Sequence, residues 1–222
     1  MNDRMSPRQF QETDGLEDWR IVGDGACAFF HAGSFGESTR FVEAIGRLDG
    51  VDDHPPAVDV RDGGVTVRLV TVVADYMGMS ERDVHIARQV SAAARTLGLA
   101  ADPSVVQSIL VIPGATDITS VVPFWRAILD YRARVDSPDE DLVDPRDRGP
   151  AFWFETMEEP RPDGGGAIHI AVWVPAEQAE ARVAAALAAG GRMVRDSFAP
   201  AWWTLADAAG NEADVATIQG RR

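Results

Sequence analysis

Four segments of the chain place apolar residues at every third or fourth position, which is the period of an amphipathic helix. The predicted helices begin after Ser34, begin after Ser80, and span about residues 119–130 and 177–189. Ser34 and Ser80 each stand three residues before an acidic side chain, as in a capping box. Three of the helices are expected to end at the glycines Gly50, Gly98 and Gly190.

Between the predicted helices, β-branched residues flank turn-forming glycines, which favours strands. Residues 19–31 and 57–73 each contain such a turn and predict two antiparallel hairpins. In the second half, predicted strands at 105–112 and 168–174 each precede a helix, so two similar β-then-α modules follow one another. Shorter strands are expected after these two helices, at 152–156, 193–194, 201–206 and 213–218.

The length predicts two domains, because 222 residues exceed the roughly 100–150 residues of one ordinary domain. The short, proline-containing segment Leu99–Ser104 is the predicted connector. We predict an α+β protein, with helices on an antiparallel sheet at 8–98 and paired βαβββ modules at 104–218. Solvated loops or turns are predicted at three places in the second domain, at 136–147, 161–166 and 207–211.

Charge and cysteine content limit the partners and the compartment. The 35 acidic residues outnumber the 21 basic ones, and the formal net charge of −14 argues against nucleic-acid or anionic-membrane partners. Cys27 has no second cysteine with which to form an internal disulfide, and no apolar stretch follows a basic start as in a signal peptide. A cytoplasmic protein is expected.

The order of elements in the first domain, with Asp53-His54-Pro55 and Ser80-Glu81-Arg82-Asp83, resembles the pterin-4a-carbinolamine dehydratase family over roughly residues 8–98. Members of that family dehydrate 4a-hydroxytetrahydrobiopterin, so the resemblance implies a hydro-lyase of pterin recycling. It implies His54 and Asp53 as catalytic residues, at the place of a His-His-Pro segment in the family. Asp83 matches an acid of the family, and a helix-capping role explains it equally well.

Two of the three histidines of that family are replaced in this chain, by Asp53 and by Val72 on the second hairpin. Dehydration needs a proton delivered to the leaving hydroxyl and another removed from N5, which suits groups with a pKa near neutrality. A carboxylate from Asp53 would orient the His54 ring, whereas valine transfers no proton. We therefore expect weak or no dehydratase activity, and we assign His31 and His85 structural roles.

The second domain resembles the glyoxalase-like branch of the vicinal oxygen chelate superfamily over about residues 104–218. The resemblance rests on the two βα modules, on Pro123–Leu129 in the first helix and on Asp207–Glu212 before the last strand. Metal-dependent members hold a divalent ion with one side chain from each quarter of the domain. The resemblance implies metal ligands at Gln107, Glu155, His169 and Asp214, a set that suits Zn, Ni, Mn or Fe.

A cup that binds a small organic ligand without metal is the alternative for this second domain. Strand alternation places His169 on one face with Ala171 and Trp173. The predicted walls of the cup are the four tryptophans Trp153, Trp173, Trp202 and Trp203.

Three functions stay open from the sequence. The first is a dehydratase-like protein of pterin recycling with partly lost histidines, and the second is a non-catalytic ligand-binding or oligomerisation protein. The third is a metal-dependent glyoxalase-like or dioxygenase-like enzyme acting through the C-terminal domain, with a divalent metal as its cofactor. The expected partners are a pterin or a small oxygen-bearing compound and further copies of the chain, with no nucleic acid and no membrane.

Overall fold

The computed structural model describes residues 4–159, 168–206 and 212–220. The chain forms two compact units, and the boundary between them lies between Gln107 and Ser108. The predicted domain limits of 8–98 and 104–218 place the junction a few residues earlier. None of the helices in these described stretches has the length and apolar character that crossing a membrane requires.

The first unit contains three helices and seven strands among its described residues. In chain order they are β1 (Arg4–Met5), α1 (Pro7–Gln11), β2 (Arg20–Val22), β3 (Gly25–His31), α2 (Phe35–Ile45), β4 (Ala57–Arg61), β5 (Gly64–Leu69), β6 (Thr71–Val73), β7 (Tyr76–Ser80) and α3 (Glu81–Thr96).

Two antiparallel sheets organise this first unit, one in the order β2-β3-β5-β4 and one in the order β1-β7-β6. Helices α2 and α3 pack on each other, α2 also on β4 and β5, and α3 also on β7. The core between helices and sheets excludes water from large side chains, among them Phe10, Trp19, Phe30, Phe41, Leu69, Met79 and Ile86.

The predicted caps of α2 and α3 are confirmed. The Ser34 hydroxyl accepts from the backbone N–H of Glu37 at 3.2 Å, and Ser80 forms a reciprocal capping box with Asp83. The predicted stop of α2 at Gly50 is wrong, because the helix ends at Ile45 and tighter i→i−3 bonds follow it.

The second predicted hairpin, at 57–73, is only partly correct. Strands β4 and β5 form the hairpin, but residues 71–73 leave that sheet and pair with β7 as strand β6. At this point the Thr71 hydroxyl donates to Asp83 at the start of α3 and lies 2.6 Å from the Ser80 hydroxyl.

The second unit contains two helices and nine strands among its described residues. In chain order they are β8 (Ser108–Ala115), α4 (Ile118–Leu129), β9 (Arg132–Arg134), β10 (Ser137–Val143), β11 (Ala151–Trp153), β12 (Glu155–Thr156), β13 (Ile168–Trp173), α5 (Ala176–Ala188), β14 (Arg192–Arg195), β15 (Trp202–Ala206) and β16 (Glu212–Ala216).

One sheet organises the second unit, in the order β14-β15-β16-β13-β8-β11-β10-β9, with β12 paired to β8 off this path. Strands β8 and β13 pair antiparallel at the centre, and each is flanked by a parallel neighbour, β11 and β16 respectively. The two halves therefore repeat one order of strands around the central pair. This repetition confirms the two predicted β-then-α modules and the α+β class.

The prediction of a loop throughout 136–147 is wrong. Residues 137–143 form β10, which pairs with β9 and β11. The strand buries Leu142 and Val143, while its acidic side chains are exposed or only partly buried. The acidic composition therefore favoured a loop prediction for a strand that is half-buried. The predictions for 161–166 and 207–211 lie outside the described residues.

Candidate functional sites

A buried carboxylate holds the imidazole of His54 in the first unit. His54 Nε2 lies 2.7 Å from Asp83 Oδ1, and the His54 side chain is 13% exposed while that of Asp83 is 0% exposed. His54 belongs to the loop after α2, and Asp83 to the first turn of α3. The contact therefore fixes the loop to the start of this helix.

Three further hydrogen bonds converge on the other oxygen of Asp83. Its Oδ2 accepts from the Thr71 hydroxyl at 2.7 Å, from the Ser80 backbone N–H at 2.7 Å and from the Ser80 hydroxyl at 3.0 Å. A carboxylate that accepts this many bonds requires its remaining partner to donate. A His54 Nε2–H that donates to this carboxylate leaves Nδ1 as the ring nitrogen that can accept a proton.

An open cleft of about 650 Å³ lies beside this pair. The loop contributes Gly50, Asp53 and His54 to its walls. Helix α3 contributes four further residues, Glu81, Arg82, His85 and Ile86. The cleft thus exposes two imidazoles and acidic and basic groups to a bound molecule.

The structure differs from the expected surroundings of His54 in two respects. Among the described residues the carboxylate hydrogen-bonded to His54 is that of Asp83, while Asp53 is exposed on the cleft wall. Val72 lies on β6 with its residue surface 39% exposed and does not line the cleft. Alternation along β6 explains this, since the neighbouring Thr71 side chain is the one that turns toward Asp83.

A cavity of about 290 Å³ lies against the strands of the second unit. His169 on β13 lines it, and His169 Nε2 lies 3.3 Å from Asp214 Oδ2 on β16. Asp214 Oδ1 accepts from the Thr204 hydroxyl at 2.6 Å. The register accounts for the contact, because Ala171 is paired with Asp214 and His169 lies two residues away on the same face.

The pKa of His169 is raised above its ordinary value. The hydrogen bond to Asp214 is the largest cause, partial burial opposes it, and the charges of Asp214, Glu155 and Glu212 add to it. The cavity therefore favours the imidazolium form of His169.

The predicted metal ligands do not come together as a set of four. Glu155, His169 and Asp214 line the cavity, but Gln107 precedes β8 and is absent from the lining, where β8 contributes Leu110 and Ile112. Within the described ranges no three His, Cys, Asp or Glu side chains are grouped closely enough to hold an ion. Both oxygens of Asp214 are also engaged by protein groups. These donors do not fit a four-ligand divalent centre.

Aromatic rings form much of the cavity wall, in part as predicted. Trp153 and Trp173 lie edge to face with centroids 6.3 Å apart, and Trp202 lines the same space. Trp203 instead packs into the core beneath α5, because adjacent residues of β15 point to opposite faces. Arg195 also lines the cavity, and its guanidinium lies 5.7 Å from the centroid of the Phe198 ring.

Family models match both units of the chain. Residues 3–93 match the family described as Pterin 4 alpha carbinolamine dehydratase, and residues 109–216 match the family described as Glyoxalase-like domain. The chain joins a dehydratase-family domain to a glyoxalase-like domain. These matches confirm the two family resemblances predicted from the sequence.

Two solved structures are similar to this chain over about half of its length. An NAD-dependent benzaldehyde dehydrogenase from Legionella pneumophila is 13% identical, with 49% of this chain and 97% of that chain covered and a TM-score of 0.36. A glyoxalase/bleomycin resistance protein/dioxygenase superfamily member from Vibrio splendidus 12B01 is 16% identical, with 50% and 99% covered and a TM-score of 0.33. A search of curated proteins finds no match.

The sequence does not connect Asp83 with His54, or His85 with the dehydratase-family cleft. Asp83 caps α3. One of its oxygens also contacts His54, which lies in a loop 29 residues earlier in the sequence. A signal existed, because an acid at this position matches the family. His85 carries no sequence signal, since only the packing of the 50–54 loop against α3 brings it to the cleft wall.

Proposed function

We propose that the N-terminal domain is a 4a-hydroxytetrahydrobiopterin dehydratase-like domain of pterin recycling, with activity reduced by the replaced histidines. The hydrogen bond of 2.7 Å between His54 Nε2 and Asp83 Oδ1 carries this proposal. It presents one oriented imidazole at the wall of a cleft that can admit a bicyclic pterin.

The chemistry follows from which ring nitrogen of His54 is bound to Asp83. His54 Nδ1 accepts the proton from N5 of the carbinolamine while the C4a–O bond breaks and the hydroxyl takes up a proton to leave as water. The electron pair of the N–H bond forms the new C4a=N5 bond. The Asp83 carboxylate holds Nε2 at 2.7 Å throughout this transfer and so keeps the ring in place.

The replacement at 53, which lies on the cleft wall, predicts the reduced rate. Each positioned acid or base contributes about 10²–10⁴-fold to a proton-transfer reaction. Val72 contributes no titratable group, and Asp53 offers a carboxylate where the family has an imidazole. A measurable but slow dehydration is the expected outcome.

A dehydration assay tests the proposal directly. Purified chain is mixed with freshly generated 4a-hydroxytetrahydrobiopterin, and formation of the quinonoid dihydropterin is followed by absorbance beside a buffer control. We expect acceleration that is lost in His54→Ala. A rate equal to that of buffer would contradict the enzyme and favour the non-catalytic binding or oligomerisation protein, which a light-scattering mass of the same sample would then test.

For the C-terminal domain we propose a binding site for a small oxygen-bearing organic molecule that needs no metal. The supporting observation is the cavity of about 290 Å³ with tryptophan walls and with His169 and Arg195 as donors toward an oxygen atom. Aromatic walls with a few polar groups are typical of small-molecule sites.

Metal analysis separates this proposal from a metal-dependent enzyme. We expect the purified protein to hold far less than one equivalent of transition metal, and Zn²⁺, Ni²⁺ and Mn²⁺ to leave its melting temperature unchanged. An equimolar metal that disappears in His169→Ala would favour the metal-dependent alternative. Tryptophan fluorescence in the presence of small carboxylates and carbonyl compounds reports on the organic ligand.

A further inference from the structure

A second imidazole faces the cleft in which His54 stands. His85 is the fifth residue of α3 and lines the same space as Arg82 and Ile86, which are three residues before it and one after it. These positions share one side of the helix, whereas Asp83, two residues before His85, points into the protein. The cleft therefore contains a histidine on each wall.

The His85 imidazole is largely open to solvent and lies near a carboxylate of the loop. Its side chain is 56% exposed, and its Nε2 is 3.6 Å from Asp49 Oδ2, beyond hydrogen-bond distance. The Asp49 backbone is itself fixed to α3, donating to Gln89 Oε1 at 3.0 Å and accepting from Gln89 Nε2 at 3.0 Å. The loop thus holds a carboxylate near His85 while leaving the imidazole open to a bound molecule.

His31 provides a matched comparison in the same domain. Its side chain is also 56% exposed, and its Nε2 lies 3.5 Å from Asp102 Oδ2. His31 lies on β3, edge-on to the Phe29 ring with centroids 5.1 Å apart, and it does not line the cleft. The two histidines thus share exposure and a nearby carboxylate, and they differ in access to the cleft.

We propose that His85 is the second proton-transfer residue of this cleft, acting on the leaving hydroxyl while His54 acts on N5; this rests on the proposed dehydratase function. Protonated His85 donates to the C4a hydroxyl, which leaves as water, and His54 accepts the N5 proton as the C4a=N5 bond forms. His85 ends neutral and His54 ends protonated, and exchange with solvent water restores both. No other reactant is consumed.

The test compares four proteins in the dehydration assay: the full chain, His54→Asn, His85→Gln and His31→Gln. Glutamine keeps a hydrogen-bonding side chain but does not titrate near neutrality. For His85→Gln we expect kcat to fall by about 10-fold or more with little change in KM, and the pH profile of kcat to lose one limb. His31→Gln should match the full chain, and circular dichroism should show all four folded.

The outcomes separate the two proposals. If His54→Asn loses the activity while His85→Gln keeps the rate and pH profile of the full chain, the role of His85 is overturned and the dehydratase function stands. If the full chain is no faster than buffer, the dehydratase function falls and the role of His85 falls with it. A loss in His31→Gln equal to that in His85→Gln would also overturn the specific role of His85.

Discussion

Asp83 combines a structural and a chemical task in one side chain. It caps α3 through the Ser80 backbone and hydroxyl, accepts from Thr71 and holds His54, all with its carboxylate out of contact with solvent. A buried carboxylate of this kind is stable only while its donors remain. The position of His54 therefore depends on the same bonds that begin the helix.

Replacing Asp83 tests this double role. Asp83→Asn removes the charge and turns one acceptor into a donor that faces other donors, so we expect a loss of about 2–4 kcal/mol in the free energy of unfolding together with loss of dehydration. Urea unfolding followed by circular dichroism measures the first effect. Glu81→Gln, an exposed neighbour in the same turn, should change stability by less than about 0.5 kcal/mol; equal losses in the two variants would contradict the role of Asp83.

The raised pKa of His169 predicts a pH-dependent stability of the C-terminal domain. Because the folded pKa lies above the unfolded value, the stabilisation is fully present below the unfolded pKa, about 6.5, and is lost as pH rises through the folded pKa. His169 is the sole histidine of the sequence after residue 107. Urea unfolding followed by tryptophan fluorescence should therefore show falling stability above neutral pH. His169→Gln should flatten this dependence, and an unchanged slope in that variant would assign the effect elsewhere.

The two positions at which the family has a histidine and this chain does not, 53 and 72, differ in their access to the cleft. Asp53 lines the cleft, whereas Val72 follows Thr71 on β6 and lies outside its lining. Restoring an imidazole at 53 places it beside the substrate, but one at 72 begins on the other face of the strand. We expect Asp53→His to raise the dehydration rate by about 10-fold or more and Val72→His to change it little.

Single and double variants give the measurement. The two replacements are assayed separately and together, and the double variant should resemble Asp53→His alone. A larger gain from Val72→His would show that residue 72 reaches the substrate by a route outside the described cleft. No gain from any of the three would show that the cleft no longer aligns the pterin.

Elements with a strong local signal could be predicted from the sequence. Ser80 begins α3 and Gly98, with φ of +73°, follows its end, because capping and chain reversal are local events. Strand β10 was missed, since its acidic residues hide the two buried positions Leu142 and Val143. The departure of β6 from the hairpin was missed for a different reason, as it depends on Thr71 meeting α3.

For the candidate sites too, the sequence predicts local features but not long-range contacts. The strand face of His169 could be inferred from alternation, but its contact with Asp214 depends on the register between β13 and β16. Likewise, the sequence shows His54 and His85 but not that one cleft contains both. The sequence therefore identifies a candidate residue more easily than the residue that it contacts.

At the scale of the whole molecule, two cores suggest two independent folding units. Buried clusters in the second unit, such as Val174, Ala179, Val183, Leu205 and Val215, are formed within that unit, and the first unit has its own core around Trp19 and Phe41. Each unit is of ordinary domain size. The fragments 1–107 and 108–222 are thus expected to fold when produced separately.

Separate fragments would also assign the activities to their domains. We expect fragment 1–107 to retain the dehydration rate of the full chain within about two-fold, because the described residues of the His54 cleft all lie before residue 107. Fragment 108–222 should unfold cooperatively and keep the pH dependence due to His169, since its cavity lining lies wholly within it. Circular dichroism and the dehydration assay provide the two readouts. A folded but inactive fragment 1–107 would mean that dehydration requires the glyoxalase-like domain, and so that the fusion itself forms the working enzyme.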